Sequence, residues 1–164
     1  MKNKQINFLL SVFFGLICQY TNCQETHKMS LNNQVKIYEL LNEWHHAATV
    51  ADEVSFFEKM DETCIYIGTD SSERWTKTEF LEWSKNIFER DTAWDFKPFD
   101  RRIIISEDGK YAWFDELLDT WMGICRGSGV LVKDTHDSWK IIHYHLSVTV
   151  PNEKIMDLVS LINK

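Results

Sequence analysis

Three groups of side chains in this 164-residue chain have the types and spacing to do chemistry. The first is Trp44-His45-His46, where an imidazole facing a cavity could act as a general base near neutral pH. Neighbouring helix positions point about 100° apart, so at most one of the two histidines shares the direction of Trp44. The second is His143-Tyr144-His145. On a strand the two histidines share a face and Tyr144 takes the other. Either the row Trp139, Ile141, His143, His145 faces inward, or the row Ile142, Tyr144, Leu146, Val148 does. Two histidines at that spacing could begin a metal site, but no third ligand stands nearby, and none is expected. The third group is the carboxylates of AWFDELLD (112–119). Alternation with Ala112, Phe114 and Leu118 points Glu116 inward. A carboxylate buried alone is costly, so Glu116 needs a cation, and Arg126 in the next strand is the expected one. That pair would be either a structural ion pair or an acid/base tuned by its neighbour. The catalytic candidates are therefore Glu116, His45 and His143.

Two further stretches invite a functional reading. YIGTDSSERW (66–75) puts an apolar run against a glycine, followed by acids, an arginine and a tryptophan. Thr69 to Ser72 is loop chemistry, and Thr76 with Glu79 is a capping box, so the stretch reads as strand, turn and helix cap. The alternative makes Asp70 or Arg74 groups at a cavity mouth. RGSGV (126–130) lacks the lysine and the strand–loop–helix context of a phosphate loop, and reads as strand glycines that permit a bulge or close packing.

The elements that must position these residues follow from periodicity. Ile37, Leu40, Leu41, Trp44, Ala48 and Ala51 recur at helical spacing over 31–51. Asp52 can cap a short second helix holding Val54, Phe56, Phe57 and Met60. A β-branched strand spans 63–69, and a third helix starts at Thr76. Four strands follow, over 94–106, 110–122, 124–134 and 139–150, with turns at Glu107-Asp108-Gly109 and Thr135-His136-Asp137-Ser138. Pro151-Asn152 opens a terminal helix. Helices in one block and hairpins in another signal α+β. A long antiparallel sheet would curve around the N-terminal helices and leave a cone open at one end. One row of that sheet, with Trp113, Trp121 and Trp139, would expose large rings unless a partner covers it.

Hydrophobic residues make up 44% of the chain and aromatics 13%, enough to fold one domain and to line a cavity. The first 23 residues read as an export signal, with Lys2 and Lys4 ahead of an apolar run, FLLSVFFGLIC (8–18), too short to span a bilayer. Cleavage is expected after Cys23, leaving 24–30 as a lead-in to a single domain over 31–164. Acylation of Cys18 or Cys23 is the less favoured route, since Ile17 and Asn22 are poor residues before such a site. Export means periplasmic or secreted. Losing Lys2 and Lys4 would take the net charge from −7 to −9, which argues against nucleic acid and anionic membranes as partners. Cys64 and Cys125 remain, expected as buried thiols rather than a disulfide.

With these motifs in view, the order of elements and the stretches WHHAATVAD, YIGTDSSERW, AWFDELLDTW, RGSGVLVK and WKIIHYHLSVTVPN resemble the nuclear transport factor 2-like superfamily, and within it the SnoaL-like, ketosteroid-isomerase-related group. The resemblance covers about 31–152. It implies a cone-shaped α+β barrel and a homodimer, and it leaves the activity open. In ketosteroid isomerases a carboxylate ends the first strand and a tyrosine on the first helix donates to the oxyanion. Ile67 and Trp44 stand at those positions here, and Ile67 accepts no proton. The expectation is a conical pocket for a small, mostly apolar molecule, without a cofactor, lined by Trp44, His45, Tyr66, Glu116, Arg126 and His143. An acid–base enzyme of isomerase, cyclase or hydratase type is the alternative. A non-catalytic dimeric interaction module is the third.

Overall fold

Ile37, Leu41, Trp44 and Ala48 form one apolar stripe on a helix. In the computed structural model, which describes residues 30–163, that stripe is buried on α1 (30–49). The whole sheet and all the later helices belong to one compact unit that begins at Ile37. The export signal expected over 1–23 lies outside the described residues. Asp52 caps α2 (Glu53–Glu58), its carboxylate accepting the Ser55 amide at 3.0 Å. Met60, expected inside that helix, instead opens β1 (Met60–Ile67) and pairs with Ile141, because Phe56 and Phe57 already fill the helix's inward face.

A short strand that periodicity did not predict, β2 (Arg74–Thr76), folds back antiparallel on the end of β1. Thr76 then opens α3 (Lys77–Phe88) with a complete capping box, the Glu79 carboxylate accepting the Thr76 amide at 2.8 Å. The meander follows as β3 (Lys97–Ile105), β4 (Tyr111–Thr120), β5 (Gly123–Lys133) and β6 (Trp139–Val148). The sheet runs β2-β1-β6-β5-β4-β3, with β1 and β6 parallel and the other pairs antiparallel. Its edge strands do not meet, so the curved sheet covers the helices without closing. This is the α+β cone expected. A 3-10 turn (Asn152–Lys154) leads to α4 (Ile155–Ile162), none of whose residues is buried.

Two bulges decide which side chains face inward. In β6, Ile141 lies opposite Leu131 and His143 opposite Val130, so Ile142 is the extra residue. Alternation restarts there. Trp139 and Ile141 point in before the bulge, Tyr144 and Leu146 after it, and His143 and His145 turn to the outer face. Neither unbroken row expected for this strand exists. Trp139, open between the inner row and the exposed one in the sequence, is buried, while Trp113 and Trp121 are exposed as expected. In β3 the register slips between Phe99 and Arg102. Asp100 adopts a positive φ of 47°, and Arg101 swings beneath the sheet. Gly127 and Gly129 are packing positions: a Cβ on Gly127 would stand 2.6 Å from the Tyr144 hydroxyl, and one on Gly129 2.7 Å from the Phe114 ring. Cys64 and Cys125 are buried free thiols, and burial pushes the Cys64 thiol up to about 12, with Asp61 adding to it.

Candidate functional site

Two polar or aromatic constellations lie inside the sheet's curve, and they are separate. The first is a buried ionic knot. Glu116, on β4, has no solvent exposure. His45 Nε2 donates to its Oε1 at 2.7 Å, and Arg101 Nε donates to its Oε2 at 2.7 Å. Arg101 is in turn fixed by α1: its Nη1 donates to the Tyr38 carbonyl at 3.1 Å and to Asn42 Oδ1 at 2.8 Å, and its guanidinium sits 4.8 Å from the Tyr38 ring centre. Burial pushes the Glu116 carboxyl up. The His45 hydrogen bond and charge, then the Arg101 charge and hydrogen bond, outweigh that and hold it below the usual value. A carboxylate with both oxygens engaged and its ionised form favoured is a poor proton acceptor. The knot's chemistry is to tie α1, β3 and β4 together.

The second is a cleft of about 180 Å³ at the end of the sheet where β1 gives way to Gly68. Its walls are rings from four segments: Tyr66 of β1, Trp75 of β2, Phe80 and Trp83 of α3, and Trp94 and Phe96 of the loop before β3. Trp121 and Met122, in the β4–β5 turn, complete the rim with Leu146. Phe80 anchors the group: Tyr66 stacks on it at 3.9 Å, with Trp75, Trp83 and Trp94 in near-parallel planes at 5.5–6.0 Å. The loop carrying Trp94 is pinned to α1 by the Ala93 and Trp94 amides, which donate to the Ala48 carbonyl at 3.0 and 3.1 Å. Glu73 supplies a carboxylate at the cleft edge.

Of the six residues expected to share one pocket, only Tyr66 lines this cleft. Trp44 is a core ring, stacked on Phe56 at 4.9 Å and meeting Tyr144 edge-on at 4.7 Å. His45 and Glu116 belong to the knot. Arg126 is not the partner of Glu116. With an odd register it lies on the outer face of β5, half exposed, 3.3 Å from Asp115. The β6 bulge puts His143 on that outer face as well. Burial lowers its pKa, and His145 and Arg74 close by add to the effect. Asp70 accepts the Ser72 amide at 2.8 Å within the expected strand–turn–cap unit, and Asp70 and Arg74 are exposed. Two residues of consequence are missing from the sequence-based expectations, Arg101 and Glu73. The adjacent pair Arg101-Arg102 after Asp100, inside an apolar run, is the sign of a bulge that the sequence offers.

A sequence profile described as the SnoaL-like domain matches residues 37–151. The chain belongs to the SnoaL-like domain family. No curated protein matches it. Among solved structures, this SnoaL-like chain is similar to a nuclear transport factor 2-like protein of unknown function from Pseudomonas putida KT2440, with 15% identity, a TM-score of 0.61, and coverage of 73% of this chain and 89% of that one. A protein from Parabacteroides distasonis ATCC 8503, provisionally named a ketosteroid isomerase, matches at 19% identity and TM-score 0.57, covering 70% and 86%. One from Streptomyces avermitilis, provisionally named a dehydratase of the nuclear transport factor 2-like family, matches at 11% and 0.63, covering 73% and 98%. At these identities the likeness is one of fold. Within this SnoaL-like fold, Ile67 ends β1 and Trp44 is buried on α1, so neither supplies the carboxylate or the phenol of the isomerase pair.

Proposed function

We propose that this SnoaL-like domain binds a small, mostly apolar molecule in the aromatic cleft. The observation that carries the reading is an open space of about 180 Å³ walled by rings, with Trp83 and Trp121 left 46% and 83% exposed at its rim. The inner rings stack on Phe80, whereas Trp83 and Trp121 leave ring surface exposed beside the open space, where core rings normally bury theirs. The volume sets the ligand's size. An apolar cavity of roughly 150 Å³ accepts benzene, while drug-sized ligands need roughly 300–1,000 Å³. A one-ring compound or a compact branched aliphatic suits it. The acid–base alternative has less support, since Glu116 has both oxygens occupied and His45 is committed to it. Thermal shift and tryptophan quenching across a panel of one- and two-ring compounds and short branched alcohols and amines test the reading. Saturable binding by at least one compound, weakened by about tenfold in Trp83→Ala, is expected. A panel that neither stabilises the protein nor changes its fluorescence overturns it.

A further inference from the structure

We propose that the molecule taken up by the aromatic cleft is a small organic cation, an amine or quaternary ammonium carried on a compact apolar body. The inference rests on the cleft being a binding site and adds the charge of what enters it. Among the described lining residues, Glu73 alone carries a formal charge. Its carboxylate is positioned by the backbone of the loop after β1. The Asp70 amide donates to Oε2 at 3.1 Å, the Glu73 amide donates to the Asp70 carbonyl at 3.0 Å, and the Glu73 carbonyl accepts the Gly68 amide at 2.9 Å. Gly68 makes the room, because a Cβ there would collide with the carboxylate.

Among the described residues no lysine or arginine forms an ion pair with Glu73, while Lys59, Lys77, Arg101, Arg126 and Lys133 pair with Glu43, Glu62, Glu116, Asp115 and Asp137. Glu73 thus stands without an ion-pair partner beside a wall of tryptophan and phenylalanine. A neutral apolar ligand would strip water from that carboxylate and return nothing to it. An anion would be repelled. A cation meets the carboxylate on one side and the negative faces of the rings on another, the combination that recognises ammonium groups. The volume of about 180 Å³ admits a trimethylammonium or benzylammonium body. The chain's net charge of −7 favours the approach of cations over anions.

Two matched pairs separate charge from shape: choline against 3,3-dimethylbutan-1-ol, in which carbon replaces the quaternary nitrogen, and benzylammonium against benzyl alcohol. The full chain is titrated with each by calorimetry and tryptophan fluorescence. Each cation should bind about tenfold tighter than its neutral partner, with the difference shrinking at high salt. Glu73→Gln should erase the difference. Gly68→Ala, which displaces the carboxylate while keeping it in the sequence, should narrow it, so the result does not depend on one variant folding well. Equal affinity within both pairs overturns the cation inference and leaves the apolar cleft standing, and a preference that survives Glu73→Gln undiminished overturns the assignment of Glu73 as its carboxylate. Failure of all four compounds to bind overturns the cation inference, and the apolar cleft falls with it only where the whole panel fails as well.

Discussion

Glu116 is paired through each of its oxygens, to His45 and to Arg101, at zero solvent exposure. Removing one member of a buried ion pair leaves the other charge without compensation, which typically costs about 3–5 kcal/mol. Glu116→Gln should therefore lose about 3 kcal/mol in urea unfolding, because Arg101 stays buried beside a neutral amide. The pH dependence has a fixed sign. Burial acts to raise the Glu116 pKa, but His45 and then Arg101 bring it below the ordinary 4.5. A carboxyl depressed in the folded state contributes its full stability above the unfolded value and loses it as pH falls through the folded one. The stability gap between wild type and Glu116→Gln should close as the pH drops below the ordinary carboxyl value of 4.5. A gap that stays constant into the acid range would show that Glu116 is not the ionised centre of the knot.

At the scale of elements, the bulge in β3 turns an edge strand into a donor to the core. Strict alternation would carry Arg101 and Arg102 to opposite faces without saying which face is which. The turn at Asp100 decides it. A residue at φ 47° lies in the left-handed region, where aspartate is tolerated and a β-branched side chain is strained. Asp100→Val should cost about 1–2 kcal/mol in thermal or urea unfolding, while Asp100→Gly should be close to neutral. Equal effects of the two substitutions would mean that the backbone there is not what aims Arg101. The same reasoning explains β6. Counting in twos keeps His143 and His145 on one face with Trp139, and one extra residue at Ile142 moves Tyr144 inward and His143 outward. Helix signals survive better because they are local. The Thr76–Glu79 box and the Asp52 cap need only four adjacent residues, and both form as the sequence predicts.

For the whole domain, what is legible in the sequence is what neighbours along the chain determine: the helix starts, the meander, the inward direction of Glu116 and the packing role of Gly127 and Gly129. The site is less legible because its parts are distant in sequence. Tyr66, Trp75, Phe80 and Trp94 come from four segments, and each alone reads as an ordinary core ring. The knot and the cleft share no residue, so they should fail independently. Trp83 is 46% exposed and stacks on Trp75 at 4.6 Å, so Trp83→Ala removes part of the cleft wall at a stability cost of about 1 kcal/mol. Glu116→Gln does the reverse. It should lower the unfolding midpoint while leaving the affinity for the tightest compound of the panel within about twofold, measured well below that midpoint, since sites without shared partners act additively. Binding that collapses in Glu116→Gln under conditions where the variant is folded would join the two constellations into one site. The acid–base reading of this fold would then regain its carboxylate.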